Sequence, residues 1–295
     1  MGRSGQVLFG YFAIPQAVEY PDIIRRARLI EELGLDLIAI QDHPYQWRFL
    51  DTPTLLTAIA VQTTRLRLFP DVINLQLRPP AMLAKWAASL DVISGGRVEL
   101  GLGAGGFAAA VAAMGGEGRK GGEAVSALEE AIAVIRLMWS GQRGARFSGR
   151  FYQLRGVNPG PVPAHPIGIW LGAYRPRMLA ITGRLADGWI PSLGYVKPED
   201  LREGNRRIDE AAMAARRNPA DILRLCNIGG YITDGESSGF LEGPVDQWVD
   251  QLTELSVDYG MDGYILGPSG DPDQQLPRFA TEIVPRVRQN VAVEV

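Results

Sequence analysis

A short run of the sequence, QDHPYQW at residues 41–47, places an acid, an imidazole, a phenol and an indole directly after an apolar segment. The imidazole of His43 can donate or accept a proton at working pH, because the pKa of a free histidine is about 6.5. Asp42 can accept a hydrogen bond from a ligand N–H, and the indole of Trp47 offers a flat wall for a planar ring. The run therefore indicates a site of proton transfer, unless His43 only caps the loop ahead of Pro44.

A glycine-rich run, ELGLGAGGF, contains Gly101, Gly103 and Gly106 at the G-x-G-x-x-G spacing of dinucleotide-binding folds. That fingerprint normally opens the first strand–helix unit, and an acidic residue about 20 positions later ends the second strand. Here the run belongs to the fourth unit, and no strand precedes the acidic residues after it, so a dinucleotide fold is weakly indicated. Together with Gly105, these glycines still allow a flat cofactor to approach the backbone closely.

A third run, WLGAYRPRML, joins a predicted strand that ends at Leu171 to a predicted helix that begins near Pro176. The free amides of Ala173 and Tyr174 at such a helix start, together with the guanidinium of Arg175, are suited to holding a phosphate. The alternative is a solvated arginine at an ordinary turn.

These runs need elements to position them, and the sequence contains eight short apolar runs that alternate with amphipathic helical stretches. One helix is predicted at residues 22–33, with Ile23, Ala27, Ile30 and Leu33 on one face, and another at residues 122–138. Since parallel crossovers are right-handed and an open sheet needs cover for its edges, eight such units predict an α/β fold, a closed (β/α)8 barrel. The predicted strands are VLFGYF, LIAI, RLFPDVI, RVELGLG, IGIWLG, GWIP, RLCNIGGYI and GYILG.

In a (β/α)8 barrel the loops after the carboxyl ends of the strands form the active site, and QDHPYQW begins where the second predicted strand stops. One long stretch, residues 139–166, holds five glycines and four prolines and is too long for a routine connection. We interpret it as an irregular insertion between the fourth helix and the fifth strand, because neither side has enough units to close a barrel alone. Residues 1–295 are therefore predicted to form a single domain.

Composition argues against three classes of protein, namely nucleic-acid-binding, membrane-spanning and metal-binding proteins. Hydrophobic residues make up 46% and charged residues 21% of the chain, and the formal net charge of −3 gives no signal for binding nucleic acid. No segment approaches the ~20 apolar residues of a membrane span, and the start lacks a signal-peptide pattern, so a cytoplasmic location is expected. Cys226 is expected to be a buried reduced thiol, and two distant histidines with one cysteine predict no metal site.

Taken together, these stretches resemble the bacterial luciferase-like superfamily of flavin- and deazaflavin-dependent oxidoreductases, which are (β/α)8 barrels. The resemblance covers nearly the whole chain, and its most specific part is LRPPAMLAKWAASLDVISGGRVELGLGAG at residues 77–105. GRLADGWIP at residues 183–191 is similar to a second signature, and YGMDGYILGP to the family's last strand. Within the superfamily, the D-H-x-x-x-W arrangement of Asp42, His43 and Trp47 is similar to the active-site run of the coenzyme F420-dependent branch.

The resemblance implies coenzyme F420 as the cofactor, with FMN as the alternative. It assigns proton transfer to His43, packs Trp47 near the deazaflavin, and has Asp42 contact the ring system. The segment PDVIN matches the family's third strand, which places a non-proline cis peptide bond at Asp71–Val72. The predicted catalytic residues are His43 and Trp47, and the predicted cofactor-binding residues are Asp42, His43, Val72, Asn74, Ala104, Gly105, Gly172, Ala173, Tyr174 and Arg175.

The predicted function is transfer of a hydride between C5 of the deazaflavin and an organic small-molecule substrate, whose identity the sequence leaves open. Where the sugar-phosphate dehydrogenases of this branch carry a glutamate after the glycine pair, this chain has Gly106, so a sugar phosphate is not expected. Two alternatives are an FMN-dependent monooxygenase fed by a partner reductase, and a cofactor-binding protein without chemistry. By resemblance a homodimer is expected, with no nucleic-acid or membrane partner.

Overall fold

The computed structural model describes residues 6–294, which group into two compact units. The first unit consists of residues 6–13, 21–39 and 173–294, and the second of residues 14–20 and 40–172. The strands are β1 Leu8–Ala13, β2 Leu37–Ile40, β3 Arg67–Pro70, β4 Ile73–Asn74, β5 Leu100–Gly103, β6 Ala145–Ser148, β7 Gln153–Val157, β8 Ile169–Leu171, β9 Gly188–Trp189, β10 Leu223–Ile232, β11 Glu242–Gly243 and β12 Gly263–Pro268. The α-helices are α1 Tyr20–Glu32, α2 Thr52–Ala60, α3 Pro80–Ser94, α4 Ala108–Ala113, α5 Gly121–Trp139, α6 Pro176–Leu185, α7 Pro198–Ala214, α8 Val245–Val257, α9 Pro272–Arg278 and α10 Val284–Glu294.

Parallel strands form the core of the first unit. β12 pairs with β1 and with β10, and β10 pairs in turn with β9. Tyr264 of β12 lies opposite Phe9 of β1 and Cys226 of β10, and all three side chains are fully buried. Removing an aromatic side chain of this size from water contributes roughly 2–3 kcal/mol. The predicted buried thiol of Cys226 is confirmed.

The amphipathic pattern of α1 is confirmed for three of its four predicted residues, whereas Leu33 follows the end of the helix and is only partly buried. Ile23, Ala27 and Ile30 are buried along one face, and the helix runs from Tyr20 to Glu32, within two residues of the predicted bounds. Gly34 follows with a φ of +81°, a left-handed conformation that a glycine adopts without steric cost and that ends the helix.

In the second unit, β5 pairs in parallel with β4 and with β8. Gly101 of β5 packs so closely on the end of β3 that an added Cβ would lie 2.0 Å from the carbonyl oxygen of Pro70. A side chain at this position would clash with backbone, so the tight strand packing requires glycine. α3 begins at Pro80 and ends at Ser94, and Gly95 follows with a φ of +75°.

The insertion predicted at residues 139–166 lies between α5 and β8, but it is not wholly irregular. It contains an antiparallel hairpin of β6 and β7. The backbone N–H groups of Arg150 and Phe151 in the hairpin turn each donate to the Glu130 carboxylate of α5 at 2.8 Å, and that of Tyr152 donates at 3.1 Å. The strands of four and five residues, each with small or polar residues, show too little alternation for sequence periodicity to predict them.

Within residues 6–294, no helix combines the length and the apolar character needed to cross a membrane. The same part of the chain contains no group of three or more histidine, cysteine, aspartate or glutamate side chains arranged to hold a metal ion.

Candidate functional site

Asp42 lies at the start of the loop after β2, and its carboxylate is buried. Arg78 donates to it from Nη1 at 2.7 Å and from Nη2 at 3.2 Å, and the backbone N–H of Asn74 donates at 2.7 Å. Arg78 also pairs at 2.7 Å with Asp51, whose carboxylate caps α2. Asp42 therefore ties the loop after β2 to β4 through charge-assisted hydrogen bonds, which are stronger than neutral ones. Its contact with a cofactor ring stays a prediction.

His43 follows directly and is half-buried. Its Nδ1 is hydrogen-bonded to the phenol oxygen of Tyr45, and the two ring centroids are 5.4 Å apart. Burial lowers the pKa of His43 below its ordinary value and outweighs the opposing effect of the neighbouring Asp42 carboxylate. Because Arg78 neutralises that carboxylate, its attraction for a proton on the imidazole is weakened. His43 is therefore neutral at neutral pH.

Phe107 completes an aromatic cluster with these two residues. Its ring packs edge-on against His43 with centroids 5.3 Å apart, and lies 5.8 Å from the ring of Tyr45. Phe107 is nevertheless 57% exposed, and Gly106 before it is exposed as well. An added Cβ at Gly106 would meet nothing within 4 Å, so packing does not require glycine there. The cluster thus presents an apolar surface beside a neutral imidazole, with open space next to it.

The interrupted third strand lies next to the glycine-rich run. The Asp71–Val72 peptide bond is cis, as predicted, and β4 follows it directly. A Cβ added to Gly103 would lie 2.8 Å from Cγ2 of Val72, and Asn74 lies opposite Gly103 in the parallel pairing of β4 with β5. The structure therefore brings Val72 and Asn74 to the start of the Ala104–Gly105 segment, as a site shared by these residues requires.

Gln76 fixes the path of the chain after β5. Its side-chain Nε2 donates to the carbonyl oxygens of Ala104 at 3.1 Å and Arg119 at 3.0 Å, and its Oε1 accepts from the Arg119 backbone N–H at 2.6 Å. Gly105 adopts a φ of +96°, and a Cβ there would lie 2.5 Å from Gln76 Nε2. One buried amide thus holds both ends of the segment that carries Gly106 and Phe107.

Asn74 provides the test of whether this site fits a flavin-like ring. Its side chain is 8% exposed, and its amide oxygen Oδ1 is buried without a hydrogen-bond partner among the described residues. A buried polar atom without a partner costs about 1–3 kcal/mol, so such an atom is expected to be satisfied by a ligand or by water. Oδ1 is an acceptor, and flavin and deazaflavin rings carry an N–H on their pyrimidine edge. The residues of this site therefore fit such a ring.

The predicted phosphate-holding turn is placed as the sequence suggested. Gly172 directly follows β8, and its N–H donates to the carbonyl oxygen of Leu102 in β5 at 3.2 Å. In the first unit, α6 begins at Pro176, and the exposed Arg175 is its N-cap residue without a side-chain cap.

The two residues before Arg175 differ in exposure. Ala173 is buried, and its carbonyl oxygen accepts from the indole of Trp189 at 2.9 Å. Tyr174 is exposed and lies 5.6 Å from the ring of Tyr195. The helix start and its N-cap arginine thus lie at the predicted positions of the chain, and phosphate binding stays a prediction.

Trp47 does not join the aromatic cluster. It is 84% exposed, and the guanidinium carbon of Arg48 lies 4.8 Å over its ring. Its packing against a cofactor stays a prediction. Sequence reasoning noted the phenol of Tyr45 without giving it a role and missed Gln76, Arg78 and Phe107, although each lies within or next to a run that it singled out.

Comparison with known proteins places these features in a family. Residues 7–238 match the sequence model of the luciferase-like monooxygenases. An F420-dependent glucose-6-phosphate dehydrogenase of Mycolicibacterium gilvum is 30% identical over 241 residues, 78% of this chain and 71% of that protein. An enzyme of the same name from Amycolatopsis mediterranei is 29% identical over 329 aligned positions, 95% of this chain and 98% of that protein.

Solved structures resemble the whole chain at low sequence identity. An F420-dependent secondary alcohol dehydrogenase in complex with an F420–acetone adduct superposes with a TM-score of 0.85 at 18% identity, over 96% of this chain and 99% of that one. The F420-dependent tetrahydromethanopterin reductase of Methanopyrus kandleri gives 0.81 at 19%, over 96% and 99%. The monooxygenase RslO1 of Streptomyces bottropensis also gives 0.81 at 19%, over 94% and 99%. These likenesses confirm the predicted α/β fold of the (β/α)8 barrel class.

Proposed function

The chain belongs to the luciferase-like monooxygenase family, and from that premise we propose that it is an F420-dependent oxidoreductase. It moves a hydride between C5 of the deazaflavin and a small organic substrate. Two observations support this proposal. The half-buried His43 packs against Phe107 of the segment after β5, and the unsatisfied amide oxygen of Asn74 belongs to the residue that lies opposite Gly103 of the glycine-rich run. The relatives named F420-dependent glucose-6-phosphate dehydrogenases support the choice of cofactor.

The residues that would hold the ring belong to the second unit. Asn74 Oδ1 would accept a ring N–H, and the backbone at Val72, Ala104 and Gly105 would line the ring. F420 supplies two-electron hydride chemistry when it is bound, because its ring carries carbon where a flavin has N5. The protein positions the reactive face and excludes water.

His43 would handle the proton that accompanies the hydride. A half-buried imidazole with a lowered pKa is uncharged at neutral pH, so it can donate through one nitrogen and accept through the other. Asp42 and Arg78 would position the loop that carries His43, since their buried ion pair joins that loop to the segment after β4. Trp47 is retained as a proposed wall of the substrate pocket.

The turn at Ala173, Tyr174 and Arg175 is proposed to bind a phosphate of the cofactor. Its support is local: an N-cap guanidinium at the start of a ten-residue helix, with a proline in the first turn. Positive charge and free amides at a helix start attract anions.

The substrate is proposed to differ from the sugar phosphate named for the relatives. By the family resemblance, Gly106 stands where the sugar-phosphate enzymes carry a glutamate, and an added Cβ at this position would meet nothing within 4 Å. Local packing at position 106 therefore does not explain why this chain lacks the glutamate. Instead the site has an exposed phenylalanine ring, which favours contact with an uncharged part of the substrate.

The second candidate is an FMN-dependent monooxygenase supplied with reduced flavin by a reductase, which the description of the matching family favours. A cofactor-binding protein without chemistry is the third. We also propose that the protein is a homodimer, on the strength of the family resemblance alone. A cytoplasmic location stays a proposal from the sequence pattern.

Spectroscopic titration of the purified protein with F420 and with FMN tests the proposal. We expect F420 to bind at least ten times more tightly than FMN, a difference of about 1.4 kcal/mol. Equal affinities, or a preference for FMN, would contradict the proposal and favour the monooxygenase. Binding of neither cofactor at micromolar concentration would contradict both.

A further inference from the structure

Tyr45 lies two positions after His43, and its phenol oxygen contacts Nδ1 of the imidazole. Phe107 packs edge-on against the His43 ring at 5.3 Å and also contacts the Tyr45 ring at 5.8 Å, so one further aromatic ring packs against both members of the pair. Since Nδ1 is occupied by the phenol, Nε2 is the nitrogen of His43 that can exchange a proton with a substrate.

The direction of the hydrogen bond follows from the chemistry of the two groups. A phenol O–H is a better donor than a neutral imidazole N–H, and an imidazole nitrogen is a better acceptor than a phenol oxygen. Tyr45 therefore donates to Nδ1, and the single proton of neutral His43 resides on Nε2.

The charges around His43 determine how it can deliver that proton. The Asp42 carboxylate is the charged group that adjoins it, and Arg78 neutralises this carboxylate while also pairing with Asp51. The titratable group in contact with His43 is the phenol of Tyr45, and the segment after β5 contributes the ring of Phe107. Burial accordingly keeps the imidazole neutral. A neutral imidazole that gives up its Nε2 proton needs another proton at Nδ1.

We propose that Tyr45 is a positioning residue that holds His43 in the Nε2–H tautomer and supplies a proton to Nδ1 when Nε2 delivers its own. The step rests on the proposed function. In the reducing direction, a carbonyl carbon of the substrate gains the hydride, with its electron pair, from the reduced deazaflavin anion, and the carbonyl oxygen gains the Nε2 proton. The phenol proton moves to Nδ1, so His43 stays neutral. Nε2 then takes a proton from water and the Nδ1 proton returns to the Tyr45 phenolate, which restores the Nε2–H tautomer. One hydride and one solvent proton are used in each cycle.

The first test uses the protein without cofactor, so it does not depend on catalysis. Nitrogen-15 NMR shows which imidazole nitrogen carries the proton, and the chain has two histidines. The pKa of His165 is raised to about 9 by hydrogen bonds to Asp91 and Glu99, so at neutral pH its charged ring gives separate signals. We expect the Nε2–H tautomer of His43 to dominate in the native protein.

Tyr45→Phe keeps the ring and removes the phenol. It should lower the ratio of the Nε2–H to the Nδ1–H tautomer about three- to ten-fold, which is the effect of losing one hydrogen bond. Tyr20→Phe, which removes an exposed phenol at the start of α1, is the matched control and should leave the ratio unchanged. A dominant Nδ1–H tautomer in the native protein, or an unchanged ratio in Tyr45→Phe, would overturn the proposal.

The second test is the pH profile of turnover in the reducing direction, once a substrate is known. The native enzyme should have a nearly constant kcat between about pH 6 and pH 8, because Tyr45 supplies the second proton to neutral His43. In Tyr45→Phe only the imidazolium form can deliver a proton, so kcat should fall about tenfold per pH unit above the pKa of His43. KM for the cofactor should change by less than a few-fold.

A native pH profile in Tyr45→Phe, with or without a lower kcat, would overturn the role proposed for Tyr45. Failure of the underlying function has a different signature, namely a preference for FMN in the cofactor titration. The tautomer measurement is independent of that outcome.

Discussion

At the level of single residues, the two histidines of the chain have opposite environments. His43 is held by aromatic rings and its pKa is lowered by burial, whereas hydrogen bonds to two carboxylates raise the pKa of His165 to about 9. The first is suited to exchange a proton near neutral pH, and the second to remain charged. The same residue type thus serves a proposed chemical role in one place and a structural role in the other.

His43→Ala should slow turnover by ~10²–10⁴-fold, because it removes a positioned proton donor. Affinity for F420 should stay within a few-fold of the native value, and Tm should change little, because the half-buried ring belongs to a loop. Turnover with the first substrate identified, F420 titration and thermal unfolding check these three expectations. Native turnover in His43→Ala would mean that His43 only caps the loop, and a strongly lowered Tm would mean that its role is structural.

Trp47→Phe should lower turnover less than His43→Ala does, since it keeps a planar ring.

Arg175→Ala should weaken F420 binding while leaving the rate at saturating cofactor nearly unchanged. The proposed partner is a phosphate whose charge is the same before and after hydride transfer, so its loss affects ground state and transition state equally. Arg177→Ala, which removes a second exposed arginine within the first turn of α6, is the matched control. Unchanged affinity in Arg175→Ala would mean that this arginine is only solvated.

At the level of elements, the insertion is held by specific polar contacts to the neighbouring helices and strands of the second unit. Glu130 of α5 accepts three backbone hydrogen bonds from the hairpin turn. Near the end of the insertion, the backbone N–H of His165 donates to the Asp91 carboxylate at 3.0 Å, and its Nδ1 contacts the same carboxylate at 2.8 Å. Its Nε2 lies 3.6 Å from the Glu99 carboxylate. Asp91 is fully buried at the end of α3, so this contact fixes where the insertion ends.

This contact predicts a dependence of stability on pH. Because folding raises the pKa of His165 from about 6.5 to about 9, its stabilisation is fully present below pH 6.5 and is lost as pH rises through about 9. Burial alone would raise the pKa of Asp91, but its hydrogen bonds with His165 lower it, so its stabilisation disappears only in acid.

Comparing Tm at pH 7 and at about pH 10 for the native protein and for His165→Gln tests this expectation. The Tm of the native protein should fall between pH 7 and pH 10. At pH 7, His165→Gln should have a lower Tm than the native protein, because its free energy of unfolding is smaller by on the order of 1–3 kcal/mol. Its Tm should fall less than the native Tm on going to pH 10. Identical pH dependence in both proteins would show that His165 does not contribute. Turnover of His165→Gln should match that of the native enzyme, whereas turnover of His43→Ala should be much slower.

At the level of the whole molecule, the chain passes between the two compact units four times, after residues 13, 20, 39 and 172. Each unit is therefore built from separate stretches of sequence, and no single break in the chain divides them. This connectivity supports the proposal that residues 1–295 fold as one domain.

Differential scanning calorimetry should accordingly show one cooperative transition, with calorimetric and van't Hoff enthalpies that agree. F420 at 100 times its Kd should stabilise the folded state by about 2.7 kcal/mol and raise the Tm of that transition by several degrees. FMN at the same concentration is the control and should raise it less. Two separate transitions would contradict the single domain, and an equal shift with FMN would contradict the cofactor preference.

Several features could be predicted from the sequence alone because they depend on nearby residues. Apolar spacing predicted α1 and its buried face, alternating runs predicted the eight strand–helix units, and glycine content located the insertion. The resemblance of PDVIN to a family segment predicted the cis bond at Asp71–Val72. Local periodicity and turn chemistry act within about a dozen positions, so a linear pattern is enough to predict them.

Other features depended on the tertiary structure. Arg78 pairs with Asp42 across 36 positions, Gln76 holds Arg119 across 43, and Phe107 packs on His43 from a different strand–helix unit. No spacing rule predicts such pairs, because they form only when packing of the strands brings distant loops together. Packing also decides exposure: Trp47 is 84% exposed, so its role as a pocket wall stays a prediction, whereas Tyr45 is hydrogen-bonded to the imidazole. The sequence alone determined which residues could do chemistry, whereas packing decided which of them are in contact.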